Sequence, residues 1–285
     1  MFKKNILRKL AIINLKQRPL RSFLAGLSIT IGTACLLTFF GLSNGIKQAT
    51  FEELERRSPL NQIVVTPEPE ESNVISLFKG NSNKKISKEQ ITNIEKLSGV
   101  NKVYPEIQFN GFASAETSVL GMKLVTDTLV FGLPKQFLAK DSNTKTALEK
   151  TKEPYPTVIP RKILDLYNIA IATPQNLPHL KEENLIGKSL TLYPNFSTFF
   201  PFAGSKNEKV ELEVVGFSDK VNLVGITLPT AVIEKLNAEF SETTEPNYLQ
   251  LYVEVKDPSQ TTKIAETIEE QGFKTDYYHK NLEEI

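Results

Sequence analysis

The sequence predicts an α+β protein in which one amino-terminal transmembrane helix precedes a two-lobed extracytoplasmic domain. The main observation is that residues 23–42 form a run of twenty residues without a charge. At about 1.5 Å per residue, such a helix crosses the roughly 30 Å hydrocarbon core of a bilayer. The charges that flank this run are asymmetric, and helical and β-type patterns alternate after it.

The charges around the run predict its orientation. Seven basic residues and no acidic residue precede it, which places the amino terminus in the cytoplasm. No small-x-small cleavage site follows, so we expect the helix to stay uncleaved. The remaining 27 basic and 33 acidic residues give the exported part a net charge of −6, without the basic surplus of a nucleic-acid-binding protein.

The position of the cysteine indicates how the exported part is stabilised. The single cysteine, Cys35, lies inside the apolar run. The extracytoplasmic part therefore folds without disulfides and depends on its apolar core.

Two segments are predicted at the amino terminus. Residues 1–19 have apolar positions at helical spacing between basic residues, which predicts an amphipathic elbow helix on the cytoplasmic surface; a basic unstructured tail is the alternative. Residues 20–45 form the transmembrane helix, and Pro19 separates the two.

The exported part alternates between strands and helices. A β-branched strand at 61–66 is followed by a polar loop at 67–85 and by a helix that Ser87 caps and Gly99 ends. Further strands are predicted at 102–112, 119–131, 190–193, 210–217, 226–228, 248–255 and 273–277, and further helices at 163–171, 229–236 and 258–271. An early unit and a late βαβ unit therefore enclose a strand-rich insert.

Three patterns that suggest catalysis or cofactor binding fail on their context. The G-x-S-x-G pattern at 41–45 needs a preceding strand, but a membrane helix precedes it. The phosphate-loop pattern at 187–189 lacks its first glycine, because Glu182 stands there. His179 and His279 have no partner ligand nearby in sequence. We expect no enzyme, no cofactor and no metal site.

Small residues form a stripe along the transmembrane helix. Ala25, Ser28, Gly32 and Cys35 recur at helical spacing, which is typical of a surface where a second helix approaches closely. Thr30, Thr33 and Thr38 strengthen this interpretation. The alternative is a plain anchor, since small residues are common in membrane helices.

A Phe-rich loop lies between two predicted strands. Phe196, Phe199, Phe200 and Phe202 fall between Pro194 and Gly204. At an exposed hairpin tip, the last three would form a docking patch for a partner or lipid. Alternatively, the rings fold back and close the core of the insert.

Several motifs, in order, carry a family resemblance: NLKQRPLRSFL (14–24), GLSITIG (26–32), NQIVVTP (61–67), LSGVNKVYP (97–105), LIGKSL (185–190) and VVG (214–216). Together they resemble the amino-terminal part of a MacB/FtsX type ABC transporter permease, with its first transmembrane helix and MacB-like periplasmic core domain. The three-span permease domain that follows in that family is not within the 285 residues.

The resemblance implies an architecture and partners. Residues 46–115 and 225–278 would form a porter-like lobe near the membrane, 116–224 an inserted outer lobe, and 279–285 the start of a stalk. The chain would be a membrane subunit that transmits ATP-driven movement to export, lipoprotein release or cell-wall hydrolase control. Its partners would be an ATP-binding subunit, other permease helices in a homodimer, and membrane lipid.

The competing hypothesis is an anchored binding or scaffold module that is not coupled to ATP. In both cases the chain lies in the cell membrane as a single-pass protein with a cytoplasmic amino terminus.

Overall fold

The computed structural model of the chain describes residues 19–57, 59–68, 85–119, 121–141, 147–200, 204, 206–241, 243, 245–278 and 280, without the side chains at 51–57, 119, 122 and 141. The predicted elbow helix, most of the polar loop at 67–85, Phe202 and nearly all of the predicted stalk lie outside these residues. The chain divides into two compact units, 1–53 and 54–285.

The helices and strands that follow are numbered in chain order. The α-helices of four or more residues are α1 Pro19–Arg57, α2 Lys88–Glu95, α3 Lys135–Asp141, α4 Arg161–Tyr167, α5 Glu182–Leu185, α6 Thr230–Phe240 and α7 Thr261–Glu269. The strands are β1 Gln62–Pro67, β2 Val100–Gln108, β3 Ala113–Val119, β4 Met122–Asp127, β5 Val130–Leu133, β6 Tyr155–Pro160, β7 Ser189–Pro194, β8 Val210–Ser218, β9 Ile226–Pro229, β10 Asn247–Val255 and β11 Phe273–Tyr277.

Helix α1 is long and apolar enough to cross a membrane over Pro19–Thr50. The helix has 39 residues, which corresponds to about 58 Å. It passes the predicted end at residue 45 because Gly41 and Gly45 are tolerated within it, and the next proline is Pro59. The helix therefore extends well beyond the hydrocarbon thickness it needs.

The described strands form one sheet in the order β11-β1-β10-β2-β5-β9-β6-β8-β7-β3-β4. At one end, β1 is antiparallel to both β10 and β11, and β10 is antiparallel to β2. The units β1-α2-β2 and β10-α7-β11 are therefore two interleaved βαβ units, as in a ferredoxin-like fold. We call this part, which consists of 62–108 and 247–277, the split-βαβ part.

Helices α2 and α7 share a buried cluster with the split-βαβ strands. Ile94 and Ile268 are fully buried in it together with Ile63 and Val253. Ser87 begins α2 with a capping box, in which its hydroxyl accepts the backbone N–H of Gln90. The predicted start and apolar face of α2 are confirmed.

Gly99 makes the turn after α2. Its φ of +95° suits glycine, and a Cβ there would approach the Gln260 and Ile264 side chains to 2.7 and 2.8 Å. The prediction that Gly99 ends the helix is wrong, because α2 ends at Glu95 with Lys96 as its C-cap and Gly99 lies in the turn before β2.

The strands from β3 to β9 belong to a long insertion between β2 and β10. Strand β5 joins the two parts because it pairs with β2 on one side and with β9 on the other. A core that includes Leu192, Leu212 and Leu228 lies within this insertion. Gly132 lets the neighbouring side chains pack closely, since a Cβ there would lie 2.8 Å from side-chain atoms of both Ile107 and Ile233.

The sheet gives the insertion wider limits than the predicted outer lobe. Strand β9 pairs with β5 and β6, and α6 packs mainly against β5, so both lie on the insertion side. Strand β3 pairs with β4 and β7 there as well. By strand pairing the insertion is 109–246, and the predicted range 116–224 omits its first and last elements because the sequence shows no partner for β3 or β9. The division into moving lobes stays a proposal.

Candidate functional site

The small-residue stripe lies on a free face of α1. Every position from 23 to 49 is exposed, and these positions include Ala25, Ser28, Gly32 and Cys35. Apart from its chain neighbours and the adjacent helix backbone, no described heavy atom lies within 4 Å of a Cβ built on Gly32. The stripe has room for a close helix contact, and its role in packing stays a prediction.

Four hydroxyl groups in the apolar run of α1 are satisfied within the helix. Ser28, Thr30, Thr33 and Thr38 each donate to the backbone carbonyl four residues earlier, at 2.8–2.9 Å. These residues therefore need no partner helix to enter lipid. The case for a packed helix rests on the small residues alone.

The Phe-rich loop follows β7, and its described rings have different environments. Phe199 is 72% exposed. Phe200 is half-buried, and its ring centroid lies 5.2 Å from that of Phe112. Phe196 is half-buried with its ring edge toward Tyr193, at 6.3 Å. Of the described rings, Phe199 is the one most available to a partner.

Asp127, at the end of β4, holds the backbone of this loop. Its Oδ1 accepts the Ser114 hydroxyl at 2.7 Å and both the N–H and the hydroxyl of Thr198, at 2.7 and 2.8 Å. Its Oδ2 accepts the Ser197 hydroxyl and the N–H of Phe199. Ser197 in turn accepts the N–H of Phe200 at 2.9 Å.

This network sets the charge state of Asp127. Burial alone raises the pKa of the carboxyl, but the hydrogen bonds from Ser114, Ser197 and Thr198 outweigh burial and lower it below its usual value. The carboxylate is therefore charged at neutral pH. No sequence pattern predicted a role for Asp127, although the Ser-Thr pair at 197–198 was a local signal of polar contacts.

A cleft of about 100 Å³ opens on the face of the split-βαβ sheet opposite α2 and α7. Aromatic side chains line it: the Phe137 ring lies 5.3 Å from that of Tyr104 and 4.5 Å from that of Tyr252. Phe137 belongs to α3 and the tyrosines to β2 and β10, so the cleft lies between the insertion and the split-βαβ part.

A charged pair stands at the wall of the cleft. Lys140 Nζ lies 2.8 Å from Glu254 Oε2, which also accepts the Tyr104 hydroxyl at 3.3 Å. Burial alone raises the pKa of Glu254, but the hydrogen bond and charge of Lys140 lower it below its usual value. Both groups are charged at neutral pH.

Glu106 is a buried carboxyl group beside the cleft. Its side chain is completely buried, and neither oxygen has a hydrogen-bond partner. Burial raises its pKa to about 8, against smaller opposing effects of the nearby Gln250 and Asn222 side chains, which lie outside hydrogen-bonding geometry. Glu106 is therefore mainly protonated at pH 7. No sequence pattern marked this residue.

A second exposed apolar surface was not predicted. Ile163, Leu166 and Ile169 recur every three residues along α4 and the turn after it, and they are 40%, 53% and 72% exposed. We call these three residues the α4 surface. The sequence predicts a helix at 163–171, but its pattern does not show that these three side chains are exposed.

The residues of the three patterns that suggest catalysis or cofactor binding have ordinary structural environments. Gly187 has a φ of +81° in the turn before β7, where its N–H donates to the Val214 carbonyl at 2.7 Å. The 41–45 pattern lies inside α1. His179 contacts the Thr173 hydroxyl at 3.2 Å, and His279 lies outside the described residues. Within the described ranges, no group of three His, Cys, Asp or Glu side chains is placed to hold a metal ion.

The chain is similar to proteins of membrane transport systems. A family model described as PCD-like, probable transporter periplasmic core domain, matches residues 64–277. No curated protein sequence matches the chain.

Three solved structures resemble it at low identity. The periplasmic region of MacB from Actinobacillus actinomycetemcomitans is 10% identical, with a TM-score of 0.43, over 82% of this chain and 96% of that one. The extracellular domain of the noncanonic ABC-type transporter YknZ from Gram-positive bacteria is 14% identical, with a TM-score of 0.38, over 76% and 100%. A domain of a putative permease protein from Porphyromonas gingivalis is 14% identical, with a TM-score of 0.34, over 76% and 90%.

Proposed function

Because the chain belongs to the PCD-like family of probable transporter periplasmic core domains, we propose that it is the membrane subunit of an ABC-type transporter. In this proposal a partner subunit hydrolyses ATP in the cytoplasm, and the extracytoplasmic domain transmits the resulting movement. The movement serves export, lipoprotein release or the control of a cell-wall hydrolase.

The observation that carries the proposal is the short connection between α1 and the core domain. Helix α1 ends at Arg57 and β1 begins at Gln62, so only residues 58–61 separate a membrane-spanning helix from the sheet. Strand β1 is hydrogen-bonded on both sides, to β10 and to β11. A displacement of the helix end would therefore pull on the centre of the split-βαβ sheet rather than on a loose edge.

The proposal requires helical partners in the membrane, and the small-residue stripe is the surface that suits them. We propose that the stripe packs against other permease helices, including a second copy of α1, with lipid around the remaining faces. The amino terminus is cytoplasmic and residues 58–285 are extracytoplasmic in this arrangement.

The test compares two glycine substitutions in the full chain. Gly32 lies in the stripe, whereas Gly41 lies nine residues later, about 180° around the helix. Both have open space around a built Cβ, so Gly41→Leu is a matched control for Gly32→Leu. Each chain is purified from its own membranes, and we measure bound ATP-binding subunit, ATP hydrolysis and the Cys35–Cys35 crosslink.

We expect wild type and Gly41→Leu to retain the ATP-binding subunit, hydrolysis and the crosslink, and Gly32→Leu to lose them. Absence of any ATP-binding subunit from the wild-type preparation contradicts the transporter proposal. Retention of the crosslink by Gly32→Leu contradicts packing through the stripe.

The second candidate function is an anchored binding module without coupling to ATP. The α4 surface favours it, because large apolar side chains exposed in a row are typical of a protein-binding surface. The same purification separates the two functions: a binding module retains protein partners, but its preparation hydrolyses no ATP.

A further inference from the structure

The cleft contains hydrogen-bond donors that the protein itself does not use. Lys220 lines the cleft, and among the residues that the structure describes its ammonium group has no ion pair or hydrogen bond. Gln62 is 8% exposed, and its amide nitrogen is buried without an acceptor. A buried donor left unpaired costs roughly 1 to 3 kcal/mol, so an acceptor that fills the cleft gains from both groups.

The charge balance of the cleft favours an anion. Lys140 and Glu254 neutralise each other, and Lys220 adds one unpaired positive charge. The Tyr252 hydroxyl accepts from Gln250 Nε2 at 2.7 Å, which leaves its own hydrogen available to a further acceptor. Lys220, Gln62 and Tyr252, each with an unused donor, therefore line one small cleft with a surplus of positive charge.

The walls and the volume of the cleft limit which ligands can bind in it. The rings of Phe137, Tyr104 and Tyr252 provide an apolar wall next to the donors. The volume of about 100 Å³ is below the roughly 150 Å³ of a cavity that holds benzene. A ligand with a short aliphatic stem and a terminal acidic group meets all three conditions. Its stem packs on the apolar wall, its acidic group accepts from the donors, and its size fits the volume.

We propose that this cleft binds a carboxylate on a short aliphatic stem, of about the size of propionate. The carboxylate accepts from Lys220, Gln62 and Tyr252, and the stem packs on the aromatic wall. The ligand bridges α3 and Lys220 of the insertion to β1 and β10 of the split-βαβ part, so its binding ties the two parts together. This inference does not depend on coupling to ATP.

The test is fluorine NMR of 3,3,3-trifluoropropionate mixed with the full chain in detergent micelles. The amide of the same acid, 3,3,3-trifluoropropanamide, is the uncharged control. We expect the chain to broaden the acid signal more than the amide signal. The Lys220→Met variant should bind the acid about tenfold more weakly, because it loses a charge-assisted hydrogen bond but keeps the stem.

Two further variants make the test specific. Gln62→Leu, which removes the buried donor at similar size, should also weaken the binding of the acid. Lys188→Met removes a charge from an exposed lysine outside the cleft and should bind like the wild type. Circular dichroism of each variant shows that it is folded. Equal binding of acid and amide, or unchanged binding by folded Lys220→Met, overturns the proposal.

The carboxylate has two possible sources, a free small acid or a glutamate side chain of a partner protein. An acetylated and amidated Ala-Glu-Ala peptide distinguishes them by competition. Displacement of trifluoropropionate by this peptide, but not by the matched Ala-Gln-Ala peptide, assigns the cleft to a protein carboxylate. Binding of the acid without displacement assigns it to a free acid.

Discussion

The Oδ1 atom of Asp127 accepts the backbone N–H of Thr198 at 2.7 Å, which connects the end of β4 to a loop 71 residues further along the chain. The same carboxylate accepts from Ser114 and Ser197. The Phe-rich loop is thus shaped by an ionised polar group, and its rings pack on a backbone that this group fixes.

Asp127→Asn should destabilise the domain by about 1 to 3 kcal/mol, because an amide nitrogen cannot accept the hydrogen bonds that one carboxylate oxygen accepts. Thermal unfolding of the full chain at pH 7, followed by circular dichroism, measures the loss. Asp276→Asn, on the exposed side of β11, is the matched control and should unfold like the wild type.

The effect of Asp127→Asn should depend on pH in a defined direction. The folded pKa of Asp127 is lower than its unfolded value of about 3.9, so its stabilisation is complete above pH 4 and is lost as the pH falls through the folded pKa. Wild type and variant should therefore converge in acid. A difference that stays constant down to the lowest pH would show that the charge of Asp127 is irrelevant.

Two alanine substitutions should separate the roles of the phenylalanines. Phe199→Ala should change stability by no more than about 0.5 kcal/mol, because the ring is mostly exposed. Phe200→Ala should cost about 1 to 2 kcal/mol, since it removes a half-buried ring that packs on Phe112. Melting curves of both variants test this. A loss of stability by Phe199→Ala that exceeds its stated limit would exclude Phe199 as a docking residue.

Local patterns predicted much of the fold. Ser87 and the apolar positions 91 and 94 identified α2, because capping and helical periodicity are set by neighbours in sequence. The strand 248–255, the helix after it and the strand 273–277 were predicted as a βαβ unit and lie close to their predicted positions. The fold class is confirmed.

Contacts between distant residues were not predictable in the same way. Strand β9 has four residues, and only its pairing with β5 and β6 assigns it to the insertion. Glu106 and Asp127 look like surface residues in the sequence, because acidic side chains are usually exposed. Their burial and hydrogen bonding arise from strands and loops far away in the chain.

The orientation in the membrane is a prediction that a reporter can test. An enzyme that is active only outside the cytoplasm should be active when it is fused after Ile285, because seven basic residues precede the apolar run. Replacing Lys3, Lys4, Arg8 and Lys9 by glutamate should reduce this activity. An active fusion before Lys3, together with an inactive fusion after Ile285, would reverse the orientation.

Glu106 predicts a second pH dependence, of opposite sign to that of Asp127. Its pKa is about 8 in the folded chain and about 4.3 in an unfolded one, so between these values the folded state holds one more proton. Stability from this group therefore falls as the pH rises from about 4.3 to 8, by at most roughly 1.4 kcal/mol per unit, and then levels off.

Glu106→Gln should remove this slope, because the amide is neutral at every pH and similar in size to the protonated acid. The melting temperature of the variant, relative to wild type, should rise steadily between pH 5 and 8. Glu149→Gln changes an exposed carboxylate in the insertion and should run parallel to the wild type. If the difference between Glu106→Gln and wild type stays constant over this range, Glu106 does not hold its proton in the folded state.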